Sequence, residues 1–168
     1  MTGGARPRGR WRTSPVADTP SRSYVWDASI LLGIAWHEPK ASPTVLAALW
    51  GSTRHLLCAV NLAEVWSKIA DNTDPDSPGR ADAVQLVDAV TAQMAVVVFD
   101  RSLAAISADL RPATRHFPGM GLADRACLAT ALVYGLTVLT ADREWANVDF
   151  PGLHVVLSTD DRPLSHAP

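Results

Sequence analysis

The sequence predicts an α/β fold around a buried, mostly parallel central sheet of about five strands. Two observations carry that expectation. Short apolar runs recur along the chain: "YVWDAS" (24–29), "HLLCAV" (55–60), "MAVVVF" (94–99), "LTVL" (136–139) and "HVVLS" (154–158). Runs this continuous suit strands covered on both faces, as in parallel sheets flanked by helices. Between them lie segments whose apolar residues recur at helical spacing, the alternation that defines α/β proteins. At 168 residues the chain suits one domain with a single core.

Each element follows from local signals. Strand one ends near Asp27, and "ILLGIAWHE" (30–38) reads as a short helix. "SPTVLAALWG" (42–51) reads as a second, with Ser42 as N-cap and Pro43 at the first helical position. Strand two (55–60) runs into "NLAEVWSKIADN" (61–72), a helix with Leu62, Val65, Trp66 and Ile69 on one face. The loop "TDPDSPG" precedes an amphipathic helix over 80–93; strand three (94–99) leads to a helix over 102–110 capped by Asp100. "RPATRHFPGMG" (111–121) reads as a loop. A helix over 122–134, stopped by Gly135, precedes strands four (136–139) and five (154–158).

Composition narrows the function classes. Cys58 and Cys127 each lie in an apolar run and form no C-x-x-C pair, which argues for a reducing compartment and against a disulfide framework or a zinc site. The five histidines are scattered without i, i+4 spacing. No apolar stretch is long enough to span a membrane, and the first 23 residues hold no signal-peptide core, so the expected location is cytoplasmic. Gly119 and Gly121 make no phosphate-binding fingerprint, and "DNTDPDSPG" (71–79) lacks the spacing of a calcium loop. The formal charge of −2 conceals an asymmetry. Residues 1–22 hold five arginines against Asp18, leaving ten basic and sixteen acidic residues in 23–168, a net of −6. Such a body needs cations or a second subunit to attract a polyanion.

In parallel α/β sheets the crevice outside the carboxyl ends of the strands is where ligands bind. Four acids fall at that edge. Asp27 ends strand one, Glu64 lies in the first turn after strand two, Asp124 in the first turn of helix 122–134, and Asp142 just after strand four. Each has an ordinary explanation: Asp27 and Asp142 as N-caps, "NLAE" (61–64) as a capping box with Asn61 as cap, Asp124 as a complement to the helix dipole. Together they raise one another's pKa values unless a cation intervenes, and an all-oxygen set suits Mg²⁺ or Mn²⁺.

"YVWDASILLGIAWHEP", "AVNLAEVWSKI" and "GLADRACLATALVYGLTVLTADREW" resemble the PIN domain, and within it the VapC-type toxins of bacterial toxin–antitoxin pairs. The resemblance spans about residues 24–158, with its acids at Asp27, Glu64, Asp124 and Asp142. It implies a PIN-like three-layer α/β/α sandwich and a Mg²⁺- or Mn²⁺-dependent endoribonuclease. It further implies a cognate VapB-type antitoxin that holds the enzyme inactive, a homodimer, and an RNA substrate such as transfer or ribosomal RNA. Asp27 and Asp124 are then the foremost metal ligands; Glu64 ligates a second ion or positions the attacking water, and Asp142 ranks last. Ser29 and Thr140 are candidates to support a ligand by hydrogen bonding. Arg125 and Arg143, each following a proposed ligand, are more simply surface ion-pairing residues, and Asp100 a cap. Trp26 and Trp66 read as core, and Trp36 and Trp50 as core or as lining for a partner segment.

The expected organisation is a PIN domain over 23–159 between an Arg/Pro/Gly-rich tail (1–22) and a short C-terminal tail (160–168). The first tail exceeds what the family carries. It reads as an RNA-binding arm or as a start assigned too early, with translation beginning near Val16. Two rivals stand against the nuclease. A phosphoryl-transfer domain would want a second acid beside Asp27, which "DAS" does not offer. A catalytically silent PIN fold that binds RNA or a partner is the alternative that only experiment separates.

Overall fold

In the computed structural model of the chain, residues 23–38, 45 and 55–158 are described. Both tails and, apart from a helical and buried Val45, the helix expected over 42–51 lie outside the described residues, as does Trp50. Strand β1 (Tyr24–Trp26) leads into helix α1 (Ala28–Ala35), and β2 (His55–Cys58) into α2 (Ala59–Asn72). Helix α3 (Pro78–Thr91), β3 (Ala95–Val97), α4 (Arg101–Asp109), α5 (Arg111–Thr114) and α6 (Leu122–Tyr134) follow. Strand β4 (Thr137–Thr140), a 3-10 turn (Arg143–Asn147) and β5 (Val155–Leu157) complete the described elements.

The five strands form one sheet in the order β3-β2-β1-β4-β5, and every pairing is parallel. Side-chain alternation in the strands divides the interior into two cores. Tyr24, Trp26, Leu57 and Leu139 point to one face, where Leu31 of α1, Val65 and Ile69 of α2, and Ala83 and Val87 of α3 meet them. Val25, Leu56 and Val138 point to the other, under Leu103 of α4, Cys127, Leu128 and Ala131 of α6, and Trp145. Helices thus cover both faces, giving the expected three layers. Each fully buried Leu, Ile or Val contributes about 1.5–3 kcal/mol, so the two cores supply the main stabilisation. Trp26 is core, as expected, and its indole N–H donates to His55 Nδ1 at 3.1 Å. Trp36 and Trp66 are partly buried against the same core.

Several boundaries shift for physical reasons. Asp27 caps α1 by accepting from the Ser29 N–H, so the helix begins at Ala28, before the apolar run starts. Helix α2 begins at Ala59, directly after β2 and with Cys58 in the cap position, so Ala59 and Val60 are helical rather than extended. Asn61 is therefore inside the first turn, and the capping box expected of "NLAE" does not form. Ser77 caps α3 with Pro78 at its first position, extending that helix toward its N-terminus. Residues 111–114, expected as loop, make the short helix α5, which continues from α4 with Leu110 between them. Helix α6 has the expected limits, and Gly135 adopts the left-handed conformation (φ 62°) that ends it.

Candidate active site

Strand β1 lies between β2 and β4, and the chain leaves it in one direction and returns on the other side. This reversal opens a crevice at the carboxyl ends of β1 and β4. Trp26 pairs with Leu139, so the next residues in register, Asp27 and Thr140, come side by side. The Asp27 N–H donates to the Leu139 carbonyl at 3.0 Å, extending the ladder to the acid itself.

Asp27 is only 3% exposed, and among the described residues the donors to its carboxylate all meet one oxygen, Oδ2. The Ser29 hydroxyl donates to it at 2.5 Å, the Thr140 hydroxyl at 2.9 Å and the Ser29 N–H at 3.3 Å. Both hydroxyls also accept: Ser29 Oγ from the Ala141 N–H (3.0 Å), and Thr140 Oγ1 from the Asp142 N–H (3.1 Å). Each hydroxyl has a single proton, and both protons are committed to Asp27; their mutual 3.3 Å separation is then a contact, not a bond. The result is a rigid lattice joining β1, α1 and the end of β4. Thr140→Val should cost about 1–3 kcal/mol, because it removes a donor from a buried carboxylate and an acceptor from the Asp142 N–H. Denaturant unfolding reads that loss, and the Asp27 carboxyl should titrate higher still.

The other acids gather around this lattice. Glu64, half-buried in the second turn of α2, and Asp124, half-buried in the first turn of α6, come from two helices near enough for Glu64 to feel the charges of Asp124 and Asp27. The Gly121 N–H donates to Asp124 Oδ2 at 2.5 Å, one half of a capping box that glycine has no side chain to return. Asp142 is exposed and caps the 3-10 turn, accepting from the Glu144 N–H at 2.9 Å. The cap roles are therefore real for Asp27 and Asp142, yet they do not account for the electrostatics.

Three of the carboxyls are pushed above their ordinary values. Burial raises Asp27; the Ser29 and Thr140 hydroxyls pull it partly back, and the charge of Asp124 pushes it up again. Burial also raises Glu64, followed by the charges of Asp124 and Asp27, with Lys68 opposing. Asp124 is raised by burial and by Asp142, against the Gly121 N–H and Arg125. Asp124 is thus the hub that feels or is felt by the other three. Lys68 and Arg125 offset only part of the burial and mutual repulsion, and a bound cation would relieve the rest.

Hard carboxylate oxygens fit Mg²⁺ or Mn²⁺ by their chemistry. Among the described residues, no three His, Cys, Asp or Glu side chains form a ready-made cage. A cation that keeps much of its water shell needs no such cage, and Asp27, Glu64 and Asp124 are the residues that would hold it.

Two neighbours of the acids carry weak sequence signals. Cys127 stands one turn after Asp124, fully buried, and its thiol is pushed well up by burial and by the charge of Asp27, then by Cys58, Asp124 and Glu64. Helical spacing from Asp124 is the signal that places it under the acids. Asn61, read as a cap, is instead wholly buried. Arg125 donates to the Met120 carbonyl at 3.3 Å and acts on Asp124 by its charge, and among the described residues its Nε is buried without a hydrogen-bond partner. Asp100 is a cap, as expected, accepting from the Leu103 N–H at 2.9 Å.

Residues 24–151 match the family model of the PIN domain, and the chain belongs to that family. PIN domains are typically nucleases. Among curated proteins none matches. The fold is shared with VapBC from Salmonella typhimurium bound to DNA (TM-score 0.63, 16% identity, covering 81% of this chain and 98% of that one). It is shared also with VapBC2 from Rickettsia felis, bound to a promoter fragment (0.62, 13%, 80% and 98%). A third relative in structure is VapBC-5 from Mycobacterium tuberculosis, of the VapBC family of toxin–antitoxin systems (0.60, 21%, 82% and 99%). Among the described residues no helix is long and apolar enough to cross a membrane.

Proposed function

We propose that the chain is a metal-dependent endoribonuclease, the VapC-type toxin of a toxin–antitoxin pair, acting with Mg²⁺ or Mn²⁺. The observation that carries this reading is the gathering of Asp27, Glu64 and Asp124 at one sheet edge, with all three carboxyls raised by burial and by the charge of a neighbouring acid. A divalent cation, when bound, polarises a water and neutralises charge on the phosphate under attack. The protein's part is to hold the acids still. Asp27 is fixed through Oδ2 by Ser29 and Thr140, bonds that do not occupy its other oxygen, the proposed ligand atom. Glu64 and Asp124 complete the ligand set from two helices, Glu64 also standing ready to orient the attacking water. Asp142, exposed at the rim, adds negative charge that helps retain the cation.

A cognate antitoxin of VapB type is the proposed partner, in keeping with the VapBC complexes that share the fold. A second copy of the chain is the other. Val96 and Val98 on the β3 edge (46% and 74% exposed) and Leu122 and Val133 on α6 offer apolar surface for such contacts. Partner arginines would offset the acidic body toward RNA.

Purified protein incubated with total RNA, in Mn²⁺ or Mg²⁺ and in EDTA, tests the reading. Sequencing of new ends should show discrete cuts that need the metal and disappear in Asp124→Asn. Those cuts would also name the RNA, whether transfer, ribosomal or other. Metal-loaded protein free of antitoxin that makes no cut would overturn the nuclease and leave the silent, partner-binding PIN fold.

A further inference from the structure

Asn61 is wholly buried, and among the described residues neither its Oδ1 nor its Nδ2 has a hydrogen-bond partner. Buried amides almost always have partners, because losing water at both ends without replacement costs free energy. Local structure does not explain the exception. Asn61 is the third residue of α2, the cap position belongs to Cys58, and no cap bond to a side chain forms. Nor is it an apolar site filled by accident, since Val65 and Ile69 continue the buried face of the same helix with ordinary core residues.

Its position points to the acids. Helix α2 starts at the carboxyl end of β2, beside the end of β1 where Asp27 stands. Asn61 and Glu64 are three residues apart and so share one side of the first turns. Helix α2 packs on α6, whose first turn carries Asp124, and on α1, which Asp27 caps. The Asn61 carboxamide is thus closed off from solvent on a helix that packs on α1 and α6.

We propose that Asn61 is a positioning residue of the acidic site, its carboxamide hydrogen-bonding the water shell of the divalent cation and steadying it against Glu64. This rests on the cation-binding reading above. Waters bound to a cation present their hydrogens outward and need acceptors. Asn61 Oδ1 is a neutral acceptor that adds no further repulsion among the acids, while Nδ2 can donate toward a carboxylate. An amide that is unsatisfied without the ion and satisfied with it ties part of the cost of its burial to ion binding.

The test compares wild type, Asn61→Leu and Asn61→Asp as full chains, using Mn²⁺ as the probe. Mn²⁺ dissociation constants come from electron paramagnetic resonance or calorimetry, and melting temperatures from the ion-free proteins. Leucine matches asparagine in branching and has no polar atom. Asn61→Leu should weaken Mn²⁺ binding on the order of tenfold or more, the usual effect of groups that orient a metal's ligands, while the ion-free Tm stays level or rises. Asn61→Asp, which keeps an acceptor but adds a like charge, should hold Mn²⁺ at least as well and melt lower without it. An unchanged dissociation constant in folded Asn61→Leu overturns the proposal. If leucine does not fold, Asn61→Ala replaces it, and failure of both to fold makes the amide structural and equally overturns it. Wild type that binds Mn²⁺ but cuts no RNA removes the nuclease and leaves Asn61 to be judged by affinity alone. Wild type that binds no Mn²⁺ removes both.

Discussion

Asp27→Asn is expected to lower RNA cleavage about a thousandfold while raising the melting temperature of the ion-free protein at neutral pH. The loss corresponds to about 4 kcal/mol of transition-state stabilisation, of the size a misplaced catalytic cation forfeits. The gain comes from the same carboxylate. The Asp27 carboxyl titrates above its ordinary value of 3.8 in the folded state, so the folded protein holds that proton more tightly than the unfolded chain. Its stabilising contribution is full below 3.8 and is lost as pH rises through the folded value. Glu64 and Asp124, also raised, act in the same direction.

In EDTA, wild type and Asp27→Asn should therefore melt nearly together in acid, where Asp27 is protonated, and separate by a few degrees as pH rises toward neutrality. Asparagine keeps an oxygen to accept from Ser29 and Thr140 and carries no charge to bury. Mn²⁺ should reverse the order at neutral pH, stabilising wild type alone. Thermal unfolding across that pH range, with and without Mn²⁺, reads all three effects. A variant that melts below wild type in EDTA at neutral pH would reduce Asp27 to an N-cap.

Trp26→Ala should produce the largest loss of stability, about 3–5 kcal/mol, or a melting temperature lower by on the order of 10 °C. The indole is 0% exposed in the core formed by β1, β2 and helices α1, α2 and α3. Its removal leaves a cavity in the middle of the sheet and takes the donor from His55 Nδ1. Because Asp27 is the next residue, residual cleavage in any folded fraction should also fall. Trp26→Phe, which fills most of the cavity but cannot donate, should cost clearly less. Denaturant unfolding of both variants separates packing from the hydrogen bond, and equal losses would assign the whole effect to the bond.

The placing of the four acids at strand and helix ends was legible in the sequence, because local patterning locates those ends. The hydrogen-bonding lattice was only partly legible. Ser29 is close to Asp27 in sequence, whereas Thr140 reaches it from more than a hundred residues away, through a pairing of β1 with β4 that no local signal contains. Asn61 shows the opposite failure: its spacing to Glu64 imitates a capping box, and the start of α2 at Ala59 removes that role.

By itself the sequence determined the α/β class, the burial of the central strands β1, β2 and β4 and the limits of α6, because apolar period and a left-handed glycine act over a few residues; β3, equally apolar in sequence, lies exposed at the sheet edge. The tertiary structure decided the order β3-β2-β1-β4-β5, the placing of α5, and which carboxylates feel one another. Those depend on packing between segments far apart in the chain. The electrostatic cost of crowding Asp27, Glu64 and Asp124 exists only once that packing has brought them to one crevice.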